Sequence, residues 1–231
     1  AIFAKIPILE PSDSQEAKDF VAIGFDISET YDTPVMLRLT TRISHSKTLV
    51  TLGPRRDVPL RDYRKNPAKN LLMPHNARVR HSVIETDRLP RLKQFSETSG
   101  VNRIEWGDRA LGVISGSIAY QYAREVFPGA SHLKIGMVNP FPDELAKQFA
   151  AGVREIRVIE ELDPIIEDSC RRLGLAVHGK DAIPITGELD QSVVRRALGM
   201  EAAPPVDPSL EALPRPPVFC AGCAHRPVFQ V

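Results

Sequence analysis

Residues 110–178 decide the fold, and they read ALGVISGSIAYQYAREVFPGASHLKIGMVNPFPDELAKQFAAGVREIRVIEELDPIIEDSCRRLGLAVH. Short apolar runs alternate here with segments in which apolar residues recur at helical spacing. Strands that alternate with helices of about ten residues indicate βαβ units, so the pattern predicts an α/β fold with a mainly parallel sheet and right-handed crossovers. The four predicted strands are residues 110–115, 132–138, 156–159 and 175–177.

Composition limits the classes of protein to consider. The 231 residues are enough for one large domain or two small ones, and the formal net charge is +1. Such a balance creates no global field for nucleic acid or an acidic membrane. The sequence has no secretory signal and no apolar run that could span a bilayer, and its three cysteines do not make a disulfide framework. We therefore expect a cytoplasmic protein without nucleic-acid or membrane partners.

A smaller α/β unit precedes the alternating stretch. Residues 6–9 and 35–39 are strand candidates, and the helix between them is expected to begin at a capping box formed by Ser12 and Gln15. This unit is too small to bury a core alone, so we expect it to be the end of a second α/β layer.

The remaining segments are linkers and short helices. Residues 47–75 carry four arginines and three lysines but one aromatic side chain, which favours a solvated or interface-lying linker over a nucleic-acid strip. Asn76 is expected to cap a helix that runs to about residue 88, and Pro90 interrupts it. A short closing helix is predicted over residues 189–198, and a proline-rich linker follows it.

Two motifs at strand ends are candidates for ligand contacts. The loop 40–46 (TTRISHS) follows a strand directly, where α/β proteins place ligand groups, so Arg42 and His45 are either ligand contacts or residues of an ordinary surface loop. The turn between Gly112 and Ser117 could hold an anion on free amides, but it lacks the G-x-G-x-x-G fingerprint, and a turn without a ligand is favoured.

Two further motifs carry carboxylates and thiols. Glu160 and Glu161 close a predicted strand, and we favour a role at the next helix N-terminus over acid–base work or subunit contacts. Cys220, Cys223 and His225 have the spacing of a metal, iron–sulfur or redox site, or of a glycine turn with buried thiols. The first residues already resemble a strand and the chain stops just after this motif, so we expect an internal segment of a longer polypeptide.

Together these motifs resemble a known family. PSDSQEAKDF, RLTTRISHS, VISGSIAYQYAREVFP, NPFP, VIEELDPIIED and RPPVFCAGCAHR occur in this order, and they are similar to the α subunits of indolepyruvate:ferredoxin oxidoreductases, which use thiamine diphosphate. The resemblance implies that residues 1–50 end a pyrimidine-binding domain and that 51–104 form a basic linker and helix. It further implies a transketolase C-terminal-like α/β domain over 105–202, and a proline-rich linker with the start of a diphosphate-binding domain over 203–231.

The resemblance also implies an activity. It is the oxidative decarboxylation of an arylpyruvate such as indolepyruvate to an arylacetyl-CoA, with ferredoxin as electron acceptor. The full-length enzyme would use thiamine diphosphate, magnesium and iron–sulfur clusters, with coenzyme A and a β subunit or fused equivalent as partners. Arg42, His45, Cys220, Cys223 and His225 would be near the cofactor in that context. A non-catalytic subunit-interface domain, or a free-standing α/β ligand-binding domain, is the alternative.

Departures from the family pattern limit what this segment can do alone. The magnesium–diphosphate signature Gly-Asp-Gly is absent, since the sequence has Gly107-Asp108-Arg109 instead, and no four-cysteine cluster run occurs. The family's Cys-Pro-Gly-Cys-Pro-His also has alanines here in place of both prolines. We therefore name no catalytic residue, and we expect the segment by itself to hold no metal or cofactor and to be inactive.

Overall fold

A computed structural model describes residues 2–55, 57–58 and 62–204 of the chain. Its strands are β1 Ile8–Leu9, β2 Met36–Leu37, β3 Arg103–Glu105, β4 Asp108–Gly116, β5 Ala130–Ile135, β6 Met137–Asn139 and β7 Glu155–Ile159. Its α-helices are α1 Ser14–Tyr31, α2 Thr41–His45, α3 Pro67–Asn70, α4 Pro74–Val83, α5 Leu89–Thr98, α6 Ser117–Val126, α7 Asp143–Ala151, α8 Ile165–Arg172 and α9 Gln191–Ala197.

The central sheet has the strand order β3-β5-β4-β7. Strand β4 pairs in parallel with both β5 and β7, so that Ile114 lies opposite Leu133 on one side and Val158 on the other. Strand β3 is antiparallel to β5 and forms one edge of the sheet. The predicted α/β class with a mainly parallel sheet is confirmed.

Both faces of this sheet are covered by helices, which explains why residues 110–114 of β4 form a continuous apolar run. Helices α7 and α8 pack on one face through Phe149 and Ile166, together with the strand residue Ile114. Helices α6 and α9 pack on the other face through Ala123 and Val194. All five side chains are buried.

The prediction of a single strand over residues 132–138 is wrong, because the run is divided at Gly136 between β5 and β6. These two strands belong to different sheets. A Cβ atom at Gly136 would lie 2.6 Å from the carbonyl oxygen of Val101, so the backbone passes there at a distance that excludes any side chain. Sequence periodicity could not show this, because both halves of the run are apolar and buried.

The predicted strand at residues 175–177 is not formed either. The chain makes only one isolated parallel bridge there, between His178 and Arg157. The amide of His178 bonds the carbonyl of Ile156, and its carbonyl accepts from Val158. Leu175 instead bonds back to the end of helix α8, so too few residues remain extended to form a strand.

The small sheet has the order β2-β1-β6. Strands β1 and β2 are parallel and are joined through α1, as the sequence predicted, whereas β6 adds antiparallel to β1 from the central part of the chain. A third apolar cluster fills the space between α1 and α5, and it consists of Leu9, Phe20, Ile27, Leu92, Val101 and Met137. Ile8 and Val138 of the small sheet belong to the cluster around Ile114, so the small layer and the central sheet share a core. The predicted domain boundaries stay a prediction.

The caps of α1 and α4 differ from the expectation. Asp13, not Ser12, caps α1 by accepting a hydrogen bond from the amide of Glu16. The carboxylate of Glu16 in turn accepts hydrogen bonds from the amide and hydroxyl of Ser12. The capping interaction therefore lies one residue later than the predicted capping box and does not involve Gln15. Helix α4 begins at Pro74, whose fixed φ suits the first helical turn, and Asn76 instead donates its side-chain amide to a loop carbonyl.

Pro90 does not separate two helices. A π-helical turn over Ile84–Arg88 joins α4 to α5, and Pro90 lies in the first turn of α5, where a missing amide is tolerated. The predicted closing helix is confirmed as α9, with Asp190 as its N-cap. Within the described residues, no helix is both long and apolar enough to cross a bilayer.

Candidate functional site

A cleft of about 280 Å³ lies at the carboxyl ends of the parallel strands. Strands β4 and β7 of the central sheet and strands β1 and β2 of the small sheet all end at it, as ligand clefts in α/β folds commonly do. Apolar side chains form most of its wall, among them Ile8, Met36, Val138, Ile165 and Ile166. The polar residues that line it are Glu10, Arg38, Ser117, Glu160, Glu161 and Asp163.

The turn from β4 to α6 forms one side of the cleft. Ser117 has φ of 50°, a left-handed conformation that is uncommon for residues other than glycine. It is only 5% exposed, and its hydroxyl has no hydrogen-bond partner among the described residues. A Cβ at Gly116 would lie 2.9 Å from the carbonyl oxygen of Ile135, so this tight turn requires glycine. Strain of this kind is often found at ligand sites.

Glu160 forms the opposite side and caps helix α8. Its carboxylate accepts hydrogen bonds from the amides of Ile166 and Glu167, at 2.8 and 2.9 Å. The favoured interpretation of Glu160, a role at the next helix N-terminus, is thereby confirmed. Burial nevertheless raises the pKa of Glu160 to about 7 against the effect of these amides and of Lys180. Glu160 can therefore exchange a proton near neutral pH.

A second buried carboxylate supports the same end of α8. Glu167 is fully buried and accepts a 2.9 Å hydrogen bond from the amide of Lys180, while Arg171 forms a 2.5 Å ion pair with it. The ammonium group of Lys180 donates to the carbonyl of Glu160 at 2.6 Å. Cys170, on the next turn of α8, is buried, and burial raises the pKa of its thiol to about 12.

The rim of the cleft is formed by an ion pair at the ends of β1 and β2. Arg38 Nη1 lies 2.9 Å from Glu10 Oε1. Neither residue was predicted as a site residue, although Glu10 directly follows the predicted strand 6–9 and Arg38 is the last but one residue of the predicted strand 35–39. That position was the available signal, since parallel neighbours end at the same edge of a sheet.

A second cavity of about 430 Å³ continues from the first through Arg38 and Glu161. The predicted site residue Arg42 lines it, in helix α2 rather than in the expected loop, because Thr40 caps a short helical turn around buried Ile43. Arg42 Nε donates to Glu188 Oε1 at 2.5 Å, and this contact raises the pKa of Arg42.

The other predicted site residues do not line either of these two cavities within the described part of the chain. His45 ends the same helix with an exposed side chain and lines neither cavity. Cys220, Cys223 and His225 lie outside the described residues. The part of the chain that the structure describes has no group of three His, Cys, Asp or Glu side chains that could hold a metal ion.

The cleft and the adjoining cavity can together hold a small ligand with a large apolar part. Its walls are mainly aliphatic, Arg38 and Arg42 provide cationic groups at the rim, and Glu160 and Glu161 provide carboxylates. Burial also raises the pKa of Glu161. The cleft thus combines apolar contact with one carboxyl group, that of Glu160, that can take up or release a proton at physiological pH.

Comparison with known proteins identifies relatives along nearly the whole chain. The chain is 36% identical to indolepyruvate oxidoreductase subunit IorA of Methanothermobacter thermautotrophicus over 99% of its own length. It is 31% identical to the subunit of the same name from Archaeoglobus fulgidus over 98%, and 32% identical to that from Pyrococcus horikoshii over 99%. The chain spans about 40% of the length of these curated relatives. The predicted resemblance is confirmed.

A solved structure is similar in fold. A 2-oxoglutarate:ferredoxin oxidoreductase from Magnetococcus marinus, with 2-oxoglutarate, coenzyme A and succinyl-CoA bound, matches with a TM-score of 0.57. The match covers 84% of this chain and 41% of that one, at 11% sequence identity, and so concerns the fold alone. No protein-family model matches the chain.

Proposed function

Because the chain is a relative of the indolepyruvate oxidoreductase subunits IorA along nearly its entire length, we propose that it forms part of a 2-oxoacid oxidoreductase. The observation that carries this proposal is the extent of the similarity, which covers 98–99% of the chain in several archaeal relatives. The likeness of the fold to a 2-oxoacid:ferredoxin oxidoreductase supports it independently of those sequences.

The substrate we propose is an arylpyruvate such as indolepyruvate. The enzyme would decarboxylate it oxidatively, pass the electrons to ferredoxin through iron–sulfur clusters, and transfer the arylacetyl group to coenzyme A. Thiamine diphosphate with magnesium would supply the carbanion chemistry. A companion β subunit, or a fused equivalent, would complete the enzyme, which we place in the cytoplasm.

Within that enzyme we assign the described residues a supporting role. The cleft residues can bind a ligand group through aliphatic walls and exchange a proton at Glu160. The cations Arg38 and Arg42 at the rim could orient an anionic group of substrate or cofactor. His45, and Cys220, Cys223 and His225 beyond the described residues, are proposed to lie near the cofactor only in the full-length subunit. We infer that the isolated segment is inactive.

The test uses the full-length enzyme and a series of 2-oxoacids. Reduction of ferredoxin or a viologen dye, with formation of the coenzyme A ester, is measured for indolepyruvate, phenylpyruvate, pyruvate and 2-oxoglutarate. The proposal expects kcat/KM to be highest for the aryl substrates. Preference for 2-oxoglutarate would refute the substrate assignment, and no 2-oxoacid-dependent reduction at all would refute the proposed function.

A separate measurement tests the inactivity of the segment. Isothermal titration calorimetry of residues 1–231 with thiamine diphosphate and magnesium should show no binding at micromolar concentrations, since a diphosphate without its metal ligands lacks its main anchor. Elemental analysis of the same protein should show no stoichiometric metal. Metal that disappears on Cys220→Ser would show that the Cys-x-x-Cys motif is a complete site in this segment.

A further inference from the structure

The start of helix α6 leaves hydrogen-bond donors without partners in the cleft. Its N-cap residue, Gly116, has no side chain, so the first amides of this helix of 10 residues have no capping group. Ser117 lines the cleft and is 5% exposed, and its hydroxyl has no hydrogen-bond partner among the described residues. A buried hydroxyl without a partner costs stability, so this position favours a ligand that brings an acceptor. The acceptor that suits a helix N-terminus best is an anionic oxygen.

The cleft as a whole, however, carries more acidic than basic groups. Its charged lining residues are the acids Glu10, Glu160, Glu161 and Asp163 and the base Arg38. Arg38 is already paired with Glu10 at 2.9 Å, and Arg42 in the adjoining cavity is paired with Glu188. Lys180 lies behind the lining, where its Nζ donates to the carbonyl of Glu160 at 2.6 Å. The acidic groups are still in excess when Lys180 is counted, so the cleft disfavours a simple anion and favours a ligand with a cationic group.

The anion-binding and cation-binding regions are close together because β4 and β7 are neighbouring strands. Ser115 of β4 pairs with Ile159 of β7, so Ser117 and Glu161 each follow the paired residues by two positions. Neighbouring strands lie about 4.8 Å apart. A molecule that carries a carboxylate and an ammonium group on the same carbon atom can therefore reach both regions at once.

The rest of the cleft suits an apolar group. Its aliphatic wall is formed by Ile8, Met36, Val138, Ile165 and Ile166. The volume of about 280 Å³ is more than a carboxylate and an ammonium group would fill. A ligand with a large apolar side chain would cover this wall and remove its area from water.

We propose that the cleft binds a free α-amino acid with a large apolar side chain. The carboxylate of the amino acid accepts hydrogen bonds from the Ser117 hydroxyl and the first amides of α6. Its ammonium group lies against the carboxylates of Glu160 and Glu161, and its side chain packs on the aliphatic wall. A 2-oxoacid lacks the ammonium group and an amine lacks the carboxylate, so each satisfies only one of the two polar regions.

The first experiment is isothermal titration calorimetry of the full-length enzyme without 2-oxoacid. The first probe is L-tryptophan, and only this choice rests on the proposed function, because L-tryptophan has the side chain of indolepyruvate. Tryptamine and indole-3-propionate, which each lack one charged group, should bind at least about 10-fold more weakly. L-Leucine should bind as well, whereas glycine, which has no apolar side chain, should not bind at the same concentrations. An analogue that binds as tightly as L-tryptophan would overturn the assignment of the region that it leaves unpaired.

Two variants test the two polar regions separately. Ser117→Ala should raise the dissociation constant of L-tryptophan at least about 10-fold. Its matched control is Ser115→Ala, which removes an equally buried hydroxyl without a described partner from the same strand, outside the cleft lining, and should change the constant less than about 2-fold. Glu161→Gln should weaken the binding of L-tryptophan and tryptamine but not that of indole-3-propionate. Asp168→Asn, which removes an exposed carboxylate of α8 outside the cleft lining, is its control. Melting temperatures establish that all four variants are folded.

Several outcomes would contradict the inference. If the full-length enzyme binds neither L-tryptophan nor L-leucine, as it would when the remainder of the subunit fills the cleft, the site does not exist. Binding that is unchanged by both Ser117→Ala and Glu161→Gln would place the amino acid elsewhere and would equally overturn the proposal.

Failure of this inference can be told apart from failure of the proposed function. Amino-acid binding is measured without 2-oxoacid, and 2-oxoacid oxidation is measured separately on the wild-type enzyme. Binding that depends on Ser117 in a protein without 2-oxoacid oxidation would sink the proposed function alone. A fully active enzyme that binds no amino acid would sink the amino-acid site alone.

Discussion

Replacing Lys134 by methionine tests why a lysine is fully buried in the central sheet. Its Nζ lies 2.5 Å from Glu16 Oε2 on helix α1 and 5.0 Å from the ring centre of Phe20. Burial lowers the pKa of Lys134 although Glu16 favours its charged form. Burial alone would raise the pKa of Glu16, but Lys134 and the hydrogen bonds from Ser12 outweigh burial and hold it below its usual value. The pair ties the small layer to the central sheet.

The loss of stability expected for Lys134→Met depends on the interactions that the Glu16 carboxylate keeps. Removing one partner of a buried ion pair costs about 3–5 kcal/mol, because the other charge is left buried and unpaired. The Glu16 side chain is 15% exposed, and it keeps Arg103 at 3.1 Å and the amide of Ser12 at 2.9 Å. We therefore expect Lys134→Met to lower the free energy of unfolding by about 2–3 kcal/mol.

Urea unfolding followed by circular dichroism at neutral pH measures this cost. The variants are Lys134→Met, Glu16→Gln and the double substitution, whose effect should be smaller than the sum of the single effects by at least about 1 kcal/mol. Lys147→Met, at an exposed pair, is the control and should leave the urea midpoint unchanged. If Lys134→Met costs less than about 0.5 kcal/mol, or if the effects add, the buried pair is not what joins the layers.

Three further predictions concern the core and the cleft. Phe149→Ala should cost about 3–5 kcal/mol in urea unfolding, since this fully buried ring stacks on Trp106, whereas Phe25→Ala at an exposed position of α1 should cost little. The pKa of Glu160, about 7, is raised above that of an exposed carboxyl. Its stabilising contribution is therefore present at acid pH and is lost as the pH rises through about 7. Unfolding free energy should fall by up to about 3 kcal/mol between pH 5 and 8, and Glu160→Gln should flatten this fall, so equal slopes in both proteins would contradict the assignment. Arg42→Ala should raise KM for the 2-oxoacid in the full-length enzyme without changing its melting temperature, and unchanged kinetics would make the Arg42 helix an ordinary surface element.

Regular periodicity made the central sheet predictable. The apolar run before Gly116 and the helical stripe from Ile118 onward identified β4 and α6, because a parallel strand buried on both faces has no polar alternation to obscure it. The division at Gly136 was not predictable, since it depends on a carbonyl from a distant loop that no local pattern reveals.

The sequence predicted residues of the candidate site only where they directly follow a predicted strand. Arg42 was identified by its place after β2, and it does line a cavity, but the short helix that carries it also turns His45 into solvent. Glu160 was identified as a helix-capping residue, but its raised pKa results from burial in the folded protein, which no local sequence pattern reveals. The left-handed backbone of Ser117 has no sequence signal, because serine rarely adopts it.

The pairing of β1 with β6 has a consequence for synthesis of the protein. Ile8 lies opposite Asn139, so β1 cannot pair with β6 until approximately 130 further residues have left the ribosome. At about 5–20 residues per second, the nascent chain carries an unpaired strand edge for roughly 7 to 26 seconds. During that interval the edge of β1 that will pair with β6 is available to any other extended segment, and a chaperone that shields this edge should raise the yield of correctly folded protein.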